Sequence, residues 1–331
     1  MRAGKFRRYN GEGLKQLLDT PTILKNGRDL GRVIRGFSES RRLLKKIKPD
    51  IIFVKGGFVG VPVGLAAAQL HIPFVTHDSD TIPGLANRII SRWAIAHTVA
   101  LPKEVYSYPA NKTFTVGVPV SAEYQRVSPE KKAQYRHELK LEKFNQMVFV
   151  TGGGNGAKQL NEVIVANATY ILQRYPNLVL VHVAGRALEQ EVRLTYDRIL
   201  PETLRPRVVV KGFVTDLYLY SGAADVIVAR GGATNLAEFA IQAKACIVIP
   251  SKQLVWNIKN TEVLSERNAV IKLTEVQAEQ ERRLALTISS LLDDDKERKE
   301  LGLRLSSFAR PNAAHELAEL IIKIISKIRS Q

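Results

Sequence analysis

Ten short apolar runs punctuate the chain, and a segment with helical periodicity lies between nearly all of them. In the first half the runs fall at 51–54, 73–76, 97–101 and 113–117; in the second at 147–152, 178–185, 207–212, 225–229, 245–250 and 269–273. Runs such as "MVFV" and "DVIVA" are apolar on both sides, so both of their faces must be covered. Strands of that kind joined through helices make parallel sheets. The fold class expected is therefore α/β, with two doubly wound, Rossmann-like domains facing a cleft. A chain of 331 residues exceeds what one core usually serves, which also predicts two domains.

The boundary is expected within 120–146, where the sequence is charged and strand-free. The domains read as 1–122, 123–308, and a terminal helix, 309–331, that docks back on the first domain. A basic helix is predicted over 28–48. The run "IIFV" has an interior strand's composition, yet the preceding fifty residues hold no clear strand. Left at a sheet edge it exposes unpaired N–H and C=O groups, so the first domain reads as incomplete and its edge as needing cover.

Net charge is +17, and residues 1–50 carry 14 Lys and Arg against 5 Asp and Glu. That surplus attracts phosphates, and an anionic membrane surface is the partner expected. Few aromatics interleave with the basic residues and no zinc-finger or RNA-binding signature occurs, so no nucleic acid is expected. Cys246, the single cysteine, sits in an apolar run and reads as a small buried hydrophobe. The opening "MRAGKFRRYN" lacks a signal peptide's apolar region, and the uncharged run 56–70 is too short to span a bilayer.

Four Gly-containing loops follow strands, at the edge where doubly wound folds bind ligands. "TGGGNGAKQLNE" (151–162), with Gly153, Gly154 and Asn155, suits a phosphate approached by backbone N–H groups and a helix dipole. It lacks a Walker lysine and the dinucleotide-binding glycine spacing. "ARGGATNLAE" (229–238) adds Arg230, Gly232, Ala233 and Thr234 before a helix; Arg230 is expected to stabilise a diphosphate. Its Glu238 also fits a capping box with Asn235, a purely local role. "KGGFVGVP" contributes Gly56, Gly57 and Phe58, and "THDSDTIPGLANR" contributes His77, Asp78 and Asp80. Two Asp-x-Asp patterns, at 78–80 and 293–295, raise metal binding as an alternative, but the second reads as a solvated helix junction. No metal and no cofactor are expected.

In order, "KPDIIFVKGGFVGVP", "IPFVTHDSDTIPGLANRI", "VTGGGNGAKQLNE", "GFVTDLYLYSGAADVIVARGGATNLAE" and "NIKNTEVLSERNAV" resemble family 28 glycosyltransferases across about residues 2–325. Such enzymes have the two-domain GT-B architecture. The resemblance implies inverting transfer of N-acetylglucosamine from UDP-N-acetylglucosamine to an undecaprenyl-diphosphate-linked muramyl-peptide acceptor in peptidoglycan synthesis. The location implied is cytoplasmic, peripheral on the inner face of the bacterial membrane. Glu238 would hold the donor ribose, Gly153, Gly154 and Asn155 the diphosphate, and Val214 the uracil. Gly232, Ala233 and Thr234 would admit the nucleotide, and Asn257 and Asn260 would contact the sugar. Gly56, Gly57, Phe58, His77 and Asp80 would meet the acceptor, with His77 and Asp80 the candidate catalytic bases.

The chain departs from the family in places. Asn257 replaces the usual Gln, His77-Asp78-Ser79-Asp80 replaces His-Glu-Gln-Asn, and Ser121 stands where an Arg is common. The family's opening Gly-Gly-Thr-Gly-Gly-His loop has no counterpart. Two alternatives therefore stand beside the transferase: a donor-binding subunit inactive without a separately encoded N-terminal fragment, and a UDP-sugar epimerase of like architecture.

Overall fold

A computed structural model describes residues 20–154 and 156–330. The chain divides into two compact units, one taking the chain up to Pro119 and again from Asn312, the other Val120–Pro311. All ten apolar runs form strands, with ends shifted by a few residues.

In the first unit, helix α1 (Thr20–Ile47) precedes β1 (Ile52–Val54), α2 (Gly60–Gln69), β2 (Phe74–Asp78), α3 (Leu85–Ile90), β3 (Ala96–Val99) and β4 (Thr113–Thr115). The four strands pair in parallel in chain order, β1-β2-β3-β4. Leu44, Val54, Ala66, Ala67, Phe74 and Ile90 pack into one core between α1, α2 and the sheet. Among the described residues, strand β1 lies at the sheet edge, and Phe53 is 39% exposed.

The second unit begins with α4 (Pro129–Glu138), whose N-cap Ser128 accepts from Lys131 N. There follow β5 (Gln146–Thr151), α5 (Lys158–Arg174), β6 (Leu178–Val183), α6 (Glu189–Ile199), β7 (Val208–Lys211), α7 (Leu217–Ala223), β8 (Val226–Ala229), α8 (Ala233–Ile241), β9 (Ala245–Val248), α9 (Val255–Ser265) and β10 (Ile271–Lys272). Helices α10 (Glu275–Glu279), α11 (Arg283–Asp293) and α12 (Asp295–Ser306) complete it, and α13 (Ala313–Arg329) returns to the first unit, where Arg329 Nη2 meets Asp50 Oδ1 at 2.8 Å.

The six parallel strands run β10-β9-β8-β5-β6-β7. Alternate residues sort onto opposite faces. Val148, Val150, Leu180, Val228 and Ile247 join one core; Met147, Phe149, Val181, Ile227, Cys246 and Val248 join the other. Two covered faces are why these strands read as continuous apolar runs. The acidic triplet serves helix ends. Asp293 pairs with Arg174, Asp294 caps α12 at Glu297 N, and Asp295 pairs with Arg298 and Lys299.

Helix α4 is tied to the sheet by a buried charge cluster. Asp225 accepts from Met147 N at 2.7 Å and Arg136 Nη2 at 2.6 Å, and also meets Lys132 Nζ. Burial works to raise its pKa, but Lys132 and Arg136 together hold it below the usual carboxylate range. Nearby Lys244 is buried, donates to Gly222 O and Ala224 O, and is pushed down to about 7, chiefly by burial. Removing the one acid strands several donors. Asp225→Ala is thus expected to cost about 3–5 kcal/mol in urea unfolding; a loss below about 1 kcal/mol would show that the cluster anchors nothing.

Candidate functional site

In the second unit the chain leaves β5 towards β6 on one side, whereas β8 pairs on the other. Thr151 sits across the ladder from Ala229, so the loops ending β5 and β8 are neighbours at the reversal of strand order, the place where open α/β sheets take ligands. Helices α5 and α8 start there with no side-chain cap: Ala157 and Gly232 hold the N-cap positions. Their first N–H groups and dipole ends are left for an anion.

Close approach dictates two glycines. A Cβ on Gly156 would strike Ala184 O and Gly185; one on Gly231 would strike Asn257 O and Thr261 Oγ1. The first contact seats the glycine loop on the end of β6, where Asn161 Nδ2 also donates to Ala184 O at 2.9 Å. The second presses the loop after β8 against α9.

The capping alternative for Glu238 fails on geometry. Helix α8 begins at Ala233, so Asn235 already lies inside the helix. Glu238 instead projects in the second turn with Oε2 buried and unpartnered. Burial pushes its pKa up to about 7, while the nearby Tyr124 hydroxyl works the other way. A carboxyl so placed is ready to accept from a ligand's hydroxyl donors.

Other expected residues divide. Gly153, Gly154, Ala233 and Thr234 line the two loops; Asn155 lies outside the described residues. Val214, after β7, is partly buried against the core. Arg230 is corrected: Nη1 donates to Glu275 Oε1 at 2.7 Å and to Ile249 O at 2.9 Å, with side-chain exposures of 11% for Arg230 and 4% for Glu275. Its charge is matched inside the protein, and the anion's attraction falls to the helix starts. Asn260 donates from Nδ2 to Gly231 O at 2.9 Å, so it braces the loop, and Asn257 is buried beneath it.

Two neighbours escaped the sequence reading. Phe213 lies over Gly154, where an added Cβ would stand 3.7 Å from its ring. The Arg186 guanidinium stacks 3.6 Å from the Phe213 ring centroid. The signal was present: both residues follow strand ends, in "AGRALE" and "GFVTD".

In the first unit, Gly56, Gly57 and the 47%-exposed Phe58 form the turn after β1. His77, a candidate base in the sequence, is an interior group. Its relative exposure is 0%, and Nδ1 lies 3.0 Å from Thr98 Oγ1. Thr98 gives its own proton to Thr76 O, so Nδ1 carries the histidine proton and Nε2 is left bare and buried. Burial, then Lys55, brings His77 down to about 4, which makes it neutral and weakly basic at pH 7. Asp78 accepts from Gly84 N, Asn87 Nδ2 and Tyr108 O–H at 2.9, 2.9 and 2.8 Å, closing the loop. Burial still leaves its pKa raised against those three bonds. Asp80, half-buried on that loop, is the more accessible acid.

Comparison with known proteins agrees with this geometry. The glycosyltransferase family 28 C-terminal domain profile matches residues 147–317, and the N-terminal domain profile matches 6–99. A Bacillus licheniformis protein described as UDP-N-acetylglucosamine–N-acetylmuramyl-(pentapeptide) pyrophosphoryl-undecaprenol N-acetylglucosamine transferase is 29% identical over 318 residues, covering 96% of this chain and 83% of its own. A Thermodesulfovibrio yellowstonii protein of the same description is 25% identical, covering 92% and 81%. Among solved structures, MurG of Acinetobacter baumannii has a TM-score of 0.69 at 23% identity, covering 89% of this chain and 79% of that one. MnaA of S. aureus, solved with UDP, has a TM-score of 0.68 at 15% identity, covering 89% and 81%. The fold is that of the GT-B glycosyltransferases and related epimerases. On the match of the C-terminal profile to more than half its length, this chain belongs to glycosyltransferase family 28.

Proposed function

We propose that this glycosyltransferase moves N-acetylglucosamine from UDP-N-acetylglucosamine to an undecaprenyl-diphosphate-linked muramyl-peptide, with inversion at the anomeric carbon. One observation carries the donor half: Glu238 stands one turn into an uncapped helix at the strand-order reversal, its Oε2 buried without a partner. In this reading the diphosphate rests on the starts of α5 and α8, the ribose hydroxyls donate to Glu238, and uracil lies towards Val214 and Phe213. Asn257 and Asn260 keep the sugar-side loop in place rather than reaching out from it.

The reaction is a direct displacement. An acceptor hydroxyl attacks the anomeric carbon as the bond to the β-phosphate oxygen breaks, and UDP leaves with the electron pair. The hydroxyl's proton passes to a base, for which Asp80 is favoured over the sealed His77. Negative charge growing on the leaving diphosphate is met by fixed N–H groups that need no reorganisation.

A lipid-linked acceptor requires a membrane surface. No helix among the described residues is long and apolar enough to cross one. The first unit instead exposes Ile89 and Trp93, 41% and 38%, next in sequence to Arg88 and Arg92, with the Arg92 guanidinium 3.9 Å from the Trp93 ring centroid. Helix α1 adds exposed Arg35, Arg41, Arg42, Lys45 and Lys46. Apolar anchors among cations suit peripheral binding to anionic headgroups.

Glu238→Ala is expected to weaken UDP binding by roughly 2–4 kcal/mol if two ribose bonds are lost; unchanged affinity in calorimetry would remove Glu238 from the site. The ligand needs an ionised carboxylate, so a proton must leave Glu238 when the pH lies below its free value. UDP affinity should therefore be level above about pH 7 and fall as pH drops, by up to about tenfold per unit. A flat profile between pH 5 and 8 would contradict this. Vesicle binding should require anionic lipid and fade with salt; indifference to salt would count against the basic face.

A further inference from the structure

The turns after β5, β6 and β7 meet at the glycine loop. A Cβ on Gly156 would stand 2.9 Å from Gly185 Cα, and one on Gly212 would stand 3.2 Å from Arg186 Cα, so all three turns are in close contact. Arg186 follows Gly185 directly, about 3.8 Å along the chain, and is well within reach of an anion seated at the start of α5. Its guanidinium rests on the ring of Phe213, whose Cε2 edge meets Gly154. Arg186 is exposed, and no carboxylate among the described residues forms an ion pair with it. Glu189, the nearest acid in sequence, is taken by Arg193 at 3.0 Å. An aromatic face steadies a cation without cancelling its charge.

We infer that Arg186 supplies the side-chain cation of the donor site, meeting the nucleotide's diphosphate from beside the glycine loop. This rests on the reading that the diphosphate lies at the starts of α5 and α8. Arg230 does not serve, because Glu275 holds it. Each helix start offers roughly half an elementary charge, so two of them leave much of a diphosphate unmatched. A guanidinium fork gives two parallel N–H···O bonds to phosphate oxygens. Lodging on Phe213 restricts that fork before the ligand arrives, which lowers the ordering cost of binding.

The test is equilibrium dialysis of the full chain with labelled UDP, using unlabelled UDP and uridine as competitors. It compares the unaltered protein with Arg186→Met, which keeps an apolar stem over the ring and removes the charge. The unaltered protein should bind UDP more tightly than uridine by on the order of tenfold or more. Arg186→Met should lower UDP affinity by about tenfold and uridine affinity by less than about twofold, since uridine brings no phosphate for the lost cation. Its UDP binding should also weaken less steeply as salt is added. Unchanged UDP affinity in Arg186→Met overturns the inference. So does an equal loss for UDP and uridine, which makes the Arg186–Phe213 stack a wall for the base or a packing contact. If the unaltered protein binds UDP no more tightly than uridine, the diphosphate reading itself fails, a result distinct from the others.

Discussion

The parallel ladder between β5 and β8 is the constraint on which the rest of the second unit depends. It sets Val148, Phe149, Val150 and Thr151 against Val226, Ile227, Val228 and Ala229 and so brings two strand ends together. Because connections on either side run outward, no crossover covers that point. The two helices that start there lack side-chain caps, and their N–H groups stay available. A ligand site follows from topology before any particular side chain is considered.

Side chains then divide between holding this edge open and using it. Arg230 looks like an anion ligand in sequence but is matched by Glu275, whose other oxygen accepts from Lys252 N at 3.4 Å. An arginine left bare at that depth would cost several kcal/mol. Asn260 bonds the backbone carbonyl of Gly231 and so fixes the loop, while Thr261 bonds Asn257 O within α9. In the first unit Asp78, Asn87 and Tyr108 close the loop after β2 in the same manner. These groups give rigidity, and rigidity is what a preorganised site requires.

Strand positions, the α/β class and the ligand-bearing loops were legible because they depend on local pattern: apolar runs, glycines, helix periodicity. The roles of Arg230, His77 and Asn260 were not, because each is decided by a residue distant in sequence: Glu275, Thr98 and Gly231. The Asn235–Glu238 capping box was a fair local inference that fails by three residues, since Gly232 rather than Asn235 is the N-cap. Phe213 and Arg186 were passed over because, although both follow strand ends, no sequence spacing shows a ring lying on Gly154.

The charge pattern along α8 narrows what can occupy the site. At Ala233 the helix start favours negative charge; Glu238, five residues on and about 7–8 Å away, disfavours it. A plain anion is welcome at one end and rejected at the other. A neutral sugar gains from Glu238 but finds nothing to offset the orphan N–H groups. A molecule with a diphosphate at one end and hydroxyl donors one turn further meets both demands, and a nucleoside diphosphate has that form. In the proposed function the unfavourable burial of Glu238 in the free protein acts as a selector: ligands that bring two O–H donors relieve it, and those that bring charge make it worse.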